Sequence, residues 1–117
     1  MHIAIIGGSG FTGTRLTRRL LAAGHTVKIL DKQDSKYYPE LQTFADVRDI
    51  DSLKQGLNSN IECVINLAAE HRDDVQPKSL YDEVNVDGAE NVCKVCSEYG
   101  IKKLSLQVLL SYMVLRL

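Results

Sequence analysis

Short apolar runs alternate along this chain with stretches in which apolar residues recur every three or four positions. The β-branched run His2–Ile6 stops at a pair of glycines and predicts a first strand. Similar runs predict four more strands, at residues 26–30, 43–45, 61–67 and 103–110. Helical spacing predicts helices over residues 15–23, 50–57 and 80–98. Strands that alternate with helices indicate right-handed crossovers, so we expect a three-layer α/β fold with a parallel sheet.

Composition and charge narrow the function classes. The chain has 117 residues, a formal net charge of −1 and 6% aromatic residues, which is typical of one soluble domain and argues against a nucleic-acid partner. No apolar stretch approaches the roughly 18–20 residues of a membrane span, and the start of the chain lacks the features of a secretory signal. We therefore expect no membrane partner. Three cysteines, an odd number, argue against a disulfide framework and favour the reducing cytoplasm.

The glycine-rich segment after the first predicted strand is the most informative stretch. Gly7, Gly10 and Gly13 are spaced as in a turn that a pyrophosphate can approach, and they lead into the first predicted helix. The free N–H groups and the dipole at the start of that helix attract phosphates. A glycine-rich turn without a ligand is the alternative.

Asp31 ends the second predicted strand, 18 residues after Gly13. A carboxylate there accepts hydrogen bonds from both ribose hydroxyls of an adenosine and repels a 2′-phosphate, which favours NAD over NADP. Lys32 follows directly and would soften that preference, and a capping role for Asp31 is the alternative. Together these features predict a Rossmann-like fold with strand order 3-2-1-4 and the fifth strand beside the fourth.

The glycine segment and Asp31 resemble the extended short-chain dehydrogenases, the family of NAD-dependent nucleotide-sugar epimerases and dehydratases. Three further stretches are similar to family motifs: Ala-Asp-Val-Arg-Asp at residues 45–49, Val-Ile-Asn-Leu-Ala-Ala at 64–69 and Asn-Val-Asp-Gly-Ala-Glu-Asn-Val at 85–92. The chain departs from the family pattern at Asn66, where His is usual, and at Ala89, where Thr is usual. The resemblance covers residues 2–104, so we expect residues 1–104 to be an NAD-binding Rossmann domain.

The resemblance implies contacts between NAD and each matching position. The pyrophosphate loop contains Gly7, Gly10, Phe11, Thr12 and Gly13. Asp31 would bind the adenosine ribose, and Asp46 and Val47 would bind the adenine. The middle of the cofactor would lie against Leu67, Ala68 and Ala69. Asn85 would join the polar network behind the active site, and a plain helix residue without a role there is the alternative. We expect no metal site.

The catalytic Tyr-x-x-x-Lys pair of the family is expected to be absent. Tyr99 and Lys103 have the right spacing, but Gly100 between them ends a predicted helix, so the two side chains would not share a helical face. We therefore expect the NAD-binding N-terminal half of a nucleotide-sugar epimerase or dehydratase, inactive as this chain. A non-catalytic dinucleotide-binding or redox-sensing module is the alternative.

Residues 105–117 form an atypical apolar tail that does not resemble the family's fifth strand. In a shifted reading frame the same codons can encode Phe-Thr-Ser-Ser-Val-Val-Val-Tyr-Gly, which is similar to that strand. Our hypothesis is that a frameshift near residues 103–105 truncated a longer epimerase-like protein, which sequencing of the coding DNA tests. An uncovered sheet edge and an apolar tail favour pairing with other chains, so we expect self-association through residues 104–117.

The three cysteines are expected to be structural. Cys93 and Cys96 are spaced to lie together on the inward face of the last predicted helix, and Cys63 falls within the fourth predicted strand. No second pair of Cys or His residues is placed to complete a zinc site. We therefore interpret all three as buried thiols.

Overall fold

A five-stranded parallel sheet forms the centre of the molecule. The computed structural model describes residues 1–68 and 83–106, without the side chains of residues 83, 84 and 106. The strands are β1 (His2–Ile6), β2 (Thr26–Asp31), β3 (Gln42–Phe44), β4 (Cys63–Asn66) and β5 (Lys103–Leu106). Their order is β3-β2-β1-β4-β5, and Ile5 of β1 pairs with Ile29 on one side and Ile65 on the other. The predicted α/β class and strand order are confirmed.

In the described part of the chain, three α-helices connect the strands: α1 (Phe11–Ala22), α2 (Ile50–Gly56) and α3 (Gly88–Glu98). α1 begins four residues before the predicted start at Arg15, because the glycine segment turns straight into the helix. Asp49 is the N-cap of α2, since its Oδ1 accepts a hydrogen bond of 3.1 Å from the Asp51 backbone N–H. A 3₁₀ turn, Pro39–Leu41, lies between β2 and β3.

The last predicted helix, residues 80–98, is only partly α-helical. A π-helical turn, Glu83–Asp87, precedes α3, and residues 80–82 lie outside the described residues. Apolar periodicity does not distinguish a π turn from an α turn, because the two differ by a single residue in the hydrogen-bond step. π turns are often found at functional sites, and this one contains Asn85.

The two faces of the sheet have separate apolar cores, which gives the three predicted layers. α2 and α3 cover one face, where Leu53, Val64 and Val92 are fully buried. α1 covers the other face, where Leu16 and Leu20 pack against the strands. Strand residues alternate between the faces, as the period of two in a strand requires.

The prediction that both Cys93 and Cys96 lie inward was wrong for Cys93, which is exposed. Val95 takes the inward place instead, because positions 92, 95 and 96 follow the i, i+3, i+4 stripe that faces the sheet. Burial raises the pKa of the Cys96 thiol to about 11, so this thiol stays protonated. Cys63 is half-buried in β4 against the core under α1.

The ends of two strands also differ from the prediction. β3 begins one residue earlier than expected, and β4 is confined to four residues of the apolar run 61–67. β5 is described as far as Leu106, and the remaining predicted part, residues 107–110, lies outside the described residues. Within the described part of the chain, no helix is both long and apolar enough to cross a bilayer.

Candidate cofactor site

The candidate site lies where β1, β2 and β4 end side by side. In parallel α/β sheets, ligands bind outside the carboxyl ends of the strands, at the point where the chain reverses its direction of strand addition. Here that point is between β1 and β4. The loop after β1 is fixed at this edge, because the Gly7 N–H donates to the Leu30 carbonyl at 2.7 Å and the Leu67 N–H donates to the Ile6 carbonyl at 2.7 Å.

Two glycines in the loop are required by close backbone contacts. Gly7 has φ +76°, and a Cβ there would lie 2.7 Å from the Ala68 backbone nitrogen. A Cβ at Gly13 would lie 2.4 Å from the Cα of Gly8, so the first turn of α1 packs directly on the loop. At these two positions the absence of a side chain therefore allows the loop to pack, and it does not serve to make room for a ligand.

Gly10 has the opposite environment, since a Cβ there would meet no atom within 4 Å. It is the N-cap of α1, and among the described residues no side chain caps this helix and no acidic residue lies in its first turn. Phe11 and Thr12, which follow, have exposed side chains. The start of α1 thus presents uncapped backbone N–H groups beside open space, which is the environment that a diphosphate requires.

Asp31 joins the end of β2 to the glycine loop. Its Oδ2 accepts a hydrogen bond of 3.0 Å from the Ser9 N–H, and its Oδ1 accepts one of 3.0 Å from the Gln33 N–H. Each carboxylate oxygen keeps a further lone pair, so the group can still accept from two ribose hydroxyls. The two bonds from backbone N–H groups fix the carboxylate next to the start of α1. Asp31 therefore does more than cap the end of β2, since it also links that end to the glycine loop.

Asp46 and Arg48 form a clamp after β3. The Arg48 Nη2 and Nε donate to the Asp46 carboxylate at 2.8 and 3.1 Å, and the Arg48 backbone N–H donates at 3.0 Å. Hydrogen bonding by Arg48 holds the pKa of Asp46 below its ordinary value, although partial burial opposes this. Asp46 is therefore a fixed anion at the same edge of the sheet as Asp31, one strand further out.

Val47 contributes to the core through its side chain, which is only 5% exposed. Its carbonyl accepts a hydrogen bond of 2.9 Å from the Asn91 side-chain amide of α3. Any contact of Val47 with a cofactor would thus use the backbone.

The segment after β4 lies against the glycine loop. Leu67 and Ala68 are half-buried, and the Ala68 N–H donates to the Asn66 side-chain oxygen at 3.0 Å. Asn66 is 4% exposed, and it holds this turn although His is usual at this position in the family that the sequence resembles. Ala69 lies outside the described residues, and Asn85 is half-buried in the π turn before α3.

Tyr99 and Lys103, which share the spacing of the catalytic pair, lie in different elements. α3 ends at Glu98, and Lys103 begins β5. The Tyr99 hydroxyl donates to the Lys54 carbonyl at 2.6 Å, which ties the end of α3 to α2. Tyr99 is thus placed for a structural role.

The sequence model of the NAD dependent epimerase/dehydratase family matches residues 3–109. The chain belongs to this family. It is 47% identical over 103 residues to N-acetyl-alpha-D-glucosaminyl-diphospho-ditrans,octacis-undecaprenol 4-epimerase of Escherichia coli O157:H7, an alignment that covers 88% of this chain and 30% of the relative. It is 32% identical over 106 residues to the sterol-4-alpha-carboxylate 3-dehydrogenase, decarboxylating, of Homo sapiens, which covers 87% of this chain and 27% of the relative.

Solved structures of the family have the same fold. The UDP-glucose 4-epimerase of Thermus thermophilus, in complex with NAD, superposes with a TM-score of 0.77 at 30% identity, over 89% of this chain and 36% of that chain. The chain thus spans about a third of the length of its relatives. NAD is the cofactor of the family, and the open, uncapped start of α1 and the fixed Asp31 carboxylate fit it.

Two residues that hold the site were missed by the sequence analysis as site residues. Asn66 and Asn91 are polar residues whose amides bond to backbone atoms of the turns at Ala68 and Val47. The sequence did contain a signal for both residues, because Asn66 lies in a largely apolar strand and Asn91 lies on a helix that packs against the sheet. Such residues need a partner when they are buried, but the sequence does not say which backbone atom supplies it.

Proposed function

We propose that residues 1–104 are the NAD-binding unit of an epimerase or dehydratase that acts on a sugar carried by a diphosphate, with a nucleotide sugar as the first candidate. One juxtaposition carries the proposal: the open, uncapped start of α1 at Gly10 lies beside the Asp31 carboxylate, which the Ser9 N–H fixes in place. A dinucleotide needs both features, one for its diphosphate and one for its ribose.

In this proposal the chain's residues bind and orient the cofactor. The backbone of residues 10–13 holds the diphosphate, Asp31 accepts from the ribose hydroxyls, and Asp46 with the Val47 backbone borders the adenine. Leu67, Ala68 and Ala69 line the middle of the cofactor, and Asn85 supports the polar network behind it. When bound, NAD supplies hydride transfer, which allows a sugar hydroxyl to be oxidised to a ketone and reduced again.

The substrate proposal draws on the relatives. The E. coli relative is named for a sugar linked through a diphosphate to a polyprenol, and the Thermus relative for a UDP sugar. The chemistry that both names share is a sugar diphosphate.

Calorimetric titration with NAD and NADP tests the proposal. We expect the wild-type chain to bind NAD at least about tenfold more tightly than NADP, because Asp31 repels a 2′-phosphate. Asp31→Asn weakens NAD binding and narrows the difference between the cofactors. Asp34→Asn, which removes an exposed carboxylate from the following loop, is the matched control and leaves both affinities unchanged. Equal affinities for NAD and NADP in the wild type would contradict the proposal.

A second candidate is a dinucleotide-binding or redox-sensing module without turnover of its own. The bond from Tyr99 to the Lys54 carbonyl favours it, because a tyrosine held there is not available as an acid or base. We expect the chain alone to transfer no hydride between NAD and a nucleotide sugar. Hydride transfer that Tyr99→Phe abolishes would contradict this candidate.

We place the protein in the cytoplasm, supported by an NAD site and by three cysteines that are all unpaired.

We propose that copies of the chain associate through residues 104–117. Supporting this, β5 is the edge strand of the described sheet on that side, and the residues after it are largely apolar.

A further inference from the structure

Lys32 lies where a cation would oppose the preference for NAD. It follows Asp31 directly and is exposed, and a cation beside the adenosine ribose can pair with the 2′-phosphate of NADP. Discrimination against NADP therefore requires a second group that keeps Lys32 from that phosphate. A candidate for this group lies in the segment after β3.

The ends of β2 and β3 are joined so that the chain after one strand runs beside the chain after the other. Asp31 pairs with Phe44 in the sheet, and the Asp31 carbonyl accepts a hydrogen bond of 3.2 Å from the Ala45 N–H. Continued by one residue, this parallel register brings Lys32 level with Ala45 and beside Asp46.

Asp46 is a firmly held anion at this point. Its side chain is 17% exposed, and Arg48 donates to the carboxylate from Nη2, Nε and the backbone N–H over distances of 2.8 to 3.1 Å. The Asp46 backbone N–H donates to the Ser52 Oγ at 3.0 Å, which fixes the main chain as well. Because backbone and carboxylate are both held, the negative charge stays in one place.

Lys32 interacts electrostatically with this carboxylate. The pKa of Asp46 is low chiefly because of the hydrogen bond from the Arg48 side chain, and the positive charge of Lys32 lowers it further. Attraction between two charges is mutual, so the same interaction draws the Lys32 ammonium towards Asp46. Lys32 thus has a fixed counter-ion one strand away from Asp31.

We propose that Asp46 is a second determinant of cofactor specificity, whose carboxylate holds the Lys32 ammonium away from the ribose and so deprives a 2′-phosphate of its counter-ion. This rests on the proposed function, because it concerns how the same site rejects NADP. Asp31 repels the phosphate directly, whereas Asp46 acts through Lys32. The two carboxylates therefore make separable contributions to the preference for NAD.

Calorimetric titration of the full chain with NAD and with NADP, at low ionic strength, tests this inference. The measured quantity is the ratio of the two dissociation constants, in which the loss of a contact with the adenine cancels because both cofactors contain it. The variants are Asp46→Asn, Lys32→Gln and the two combined. The matched controls are Asp51→Asn, which removes an exposed carboxylate from α2, and Lys94→Gln, which removes an exposed cation from α3.

We expect Asp46→Asn to reduce the preference for NAD about fivefold, because Lys32 is then released to pair with the 2′-phosphate. Lys32→Gln alone should change the preference less than about twofold, since its charge is already neutralised, and in the Asp46→Asn background it should restore the wild-type preference. Asp51→Asn alone, and Lys94→Gln in the Asp46→Asn background, should have no such effect. High salt should weaken the effect of Asp46→Asn.

Two outcomes would overturn the inference: an unchanged ratio in Asp46→Asn, or an effect of Lys32→Gln that is the same in both backgrounds. If Asp46→Asn does not fold, as judged by thermal unfolding, Asp46→Ser takes its place with the same expectations. A wild type that prefers NAD, with no coupling between Asp46 and Lys32, removes only this inference. A wild type that binds neither cofactor, or both equally, removes the proposed function.

Discussion

Single atoms decide what each glycine of the cofactor loop does. Gly7 and Gly13 are adjacent to backbone atoms that leave no room for a Cβ, whereas Gly10 faces empty space. Spacing in the sequence indicates all three glycines equally. The difference between shaping the loop and leaving room for a ligand becomes visible only when distances across the loop are known.

The variants Gly10→Ala and Gly13→Ala should therefore have different effects, one on NAD affinity and the other on the stability of the fold. Gly13→Ala forces the first turn of α1 away from Gly8 and should destabilise the fold by about 2 kcal/mol. Gly10→Ala should leave the melting temperature nearly unchanged and weaken NAD binding by about tenfold, because its methyl group occupies the approach of the diphosphate. Thermal unfolding and calorimetry measure the two effects. A stable Gly13→Ala variant, or full NAD affinity in Gly10→Ala, would be inconsistent with this assignment.

The Asp46–Arg48 clamp makes stability depend on pH. Because the folded-state pKa of Asp46 lies below its ordinary value of 3.8, the stabilising contribution is present above that value and is lost as the pH falls below it. Arg48→Gln should raise the pKa of Asp46, since burial still disfavours the charged form. An NMR titration of the Asp46 carboxyl measures the shift, with Arg19→Gln as a control. An unchanged pKa in Arg48→Gln would contradict the clamp.

At the scale of elements, helix α3 is held by polar contacts as well as by its apolar stripe. The Asn91 amide bonds to the Val47 carbonyl, and the Tyr99 hydroxyl bonds to the Lys54 carbonyl. These bonds tie α3 to the segment after β3 and to α2, so the helix supports the backbone at Val47, where we propose that the adenine binds.

Tyr99→Phe should reduce the free energy of unfolding by about 1 kcal/mol, because the Lys54 carbonyl loses a donor within a partly buried contact. NAD affinity should not change. Tyr37→Phe, at an exposed tyrosine, is the control and should leave stability unchanged. Chemical denaturation of the three proteins measures this difference. A loss of NAD binding in Tyr99→Phe at full stability would show that the tyrosine acts at the site.

The sequence predicted the strands, their order and the helix α2, because apolar periodicity is a local signal. It did not predict the π turn before α3 or the outward position of Cys93. Apolar spacing does not distinguish a π turn from an α turn. The position of Cys93 depends on which face of α3 packs with Val64 and Leu53 in the core. Nor did the sequence predict the partner of Asn91, because the Val47 carbonyl lies in a segment that is distant in the sequence. Asn66 accepts from the Ala68 N–H two residues ahead, and that bond depends on the turn that the chain makes after β4.

For the whole molecule, the edge of the described sheet at β5 is the feature that favours pairing with another chain. β5 pairs with β4 on one side, and on its other side no described strand is hydrogen-bonded to it. Edge strands with free N–H and C=O groups pair with other chains unless they are covered.

Deletion of residues 107–117 tests the proposed self-association. The full chain should scatter light as a dimer or larger species, and a version that ends at Leu106, which keeps β5, should associate less. Replacing the apolar residues of the tail with serine at constant length is the control for chain length, and it should have the same effect as the deletion. A monomeric full chain, or association that is unchanged in both variants, would refute the proposal.

The central claim is that NAD binds across the carboxyl ends of β1, β2 and β4. Backbone amide chemical shifts, recorded while NAD is added to the ¹⁵N-labelled chain, test it most directly. The account predicts that the largest changes fall on residues 7–13, 31–33, 46–48 and 67–68, while residues 94–98 of α3 do not shift. Saturating NAD that shifts none of these amides, or that shifts mainly residues 94–98, would contradict it.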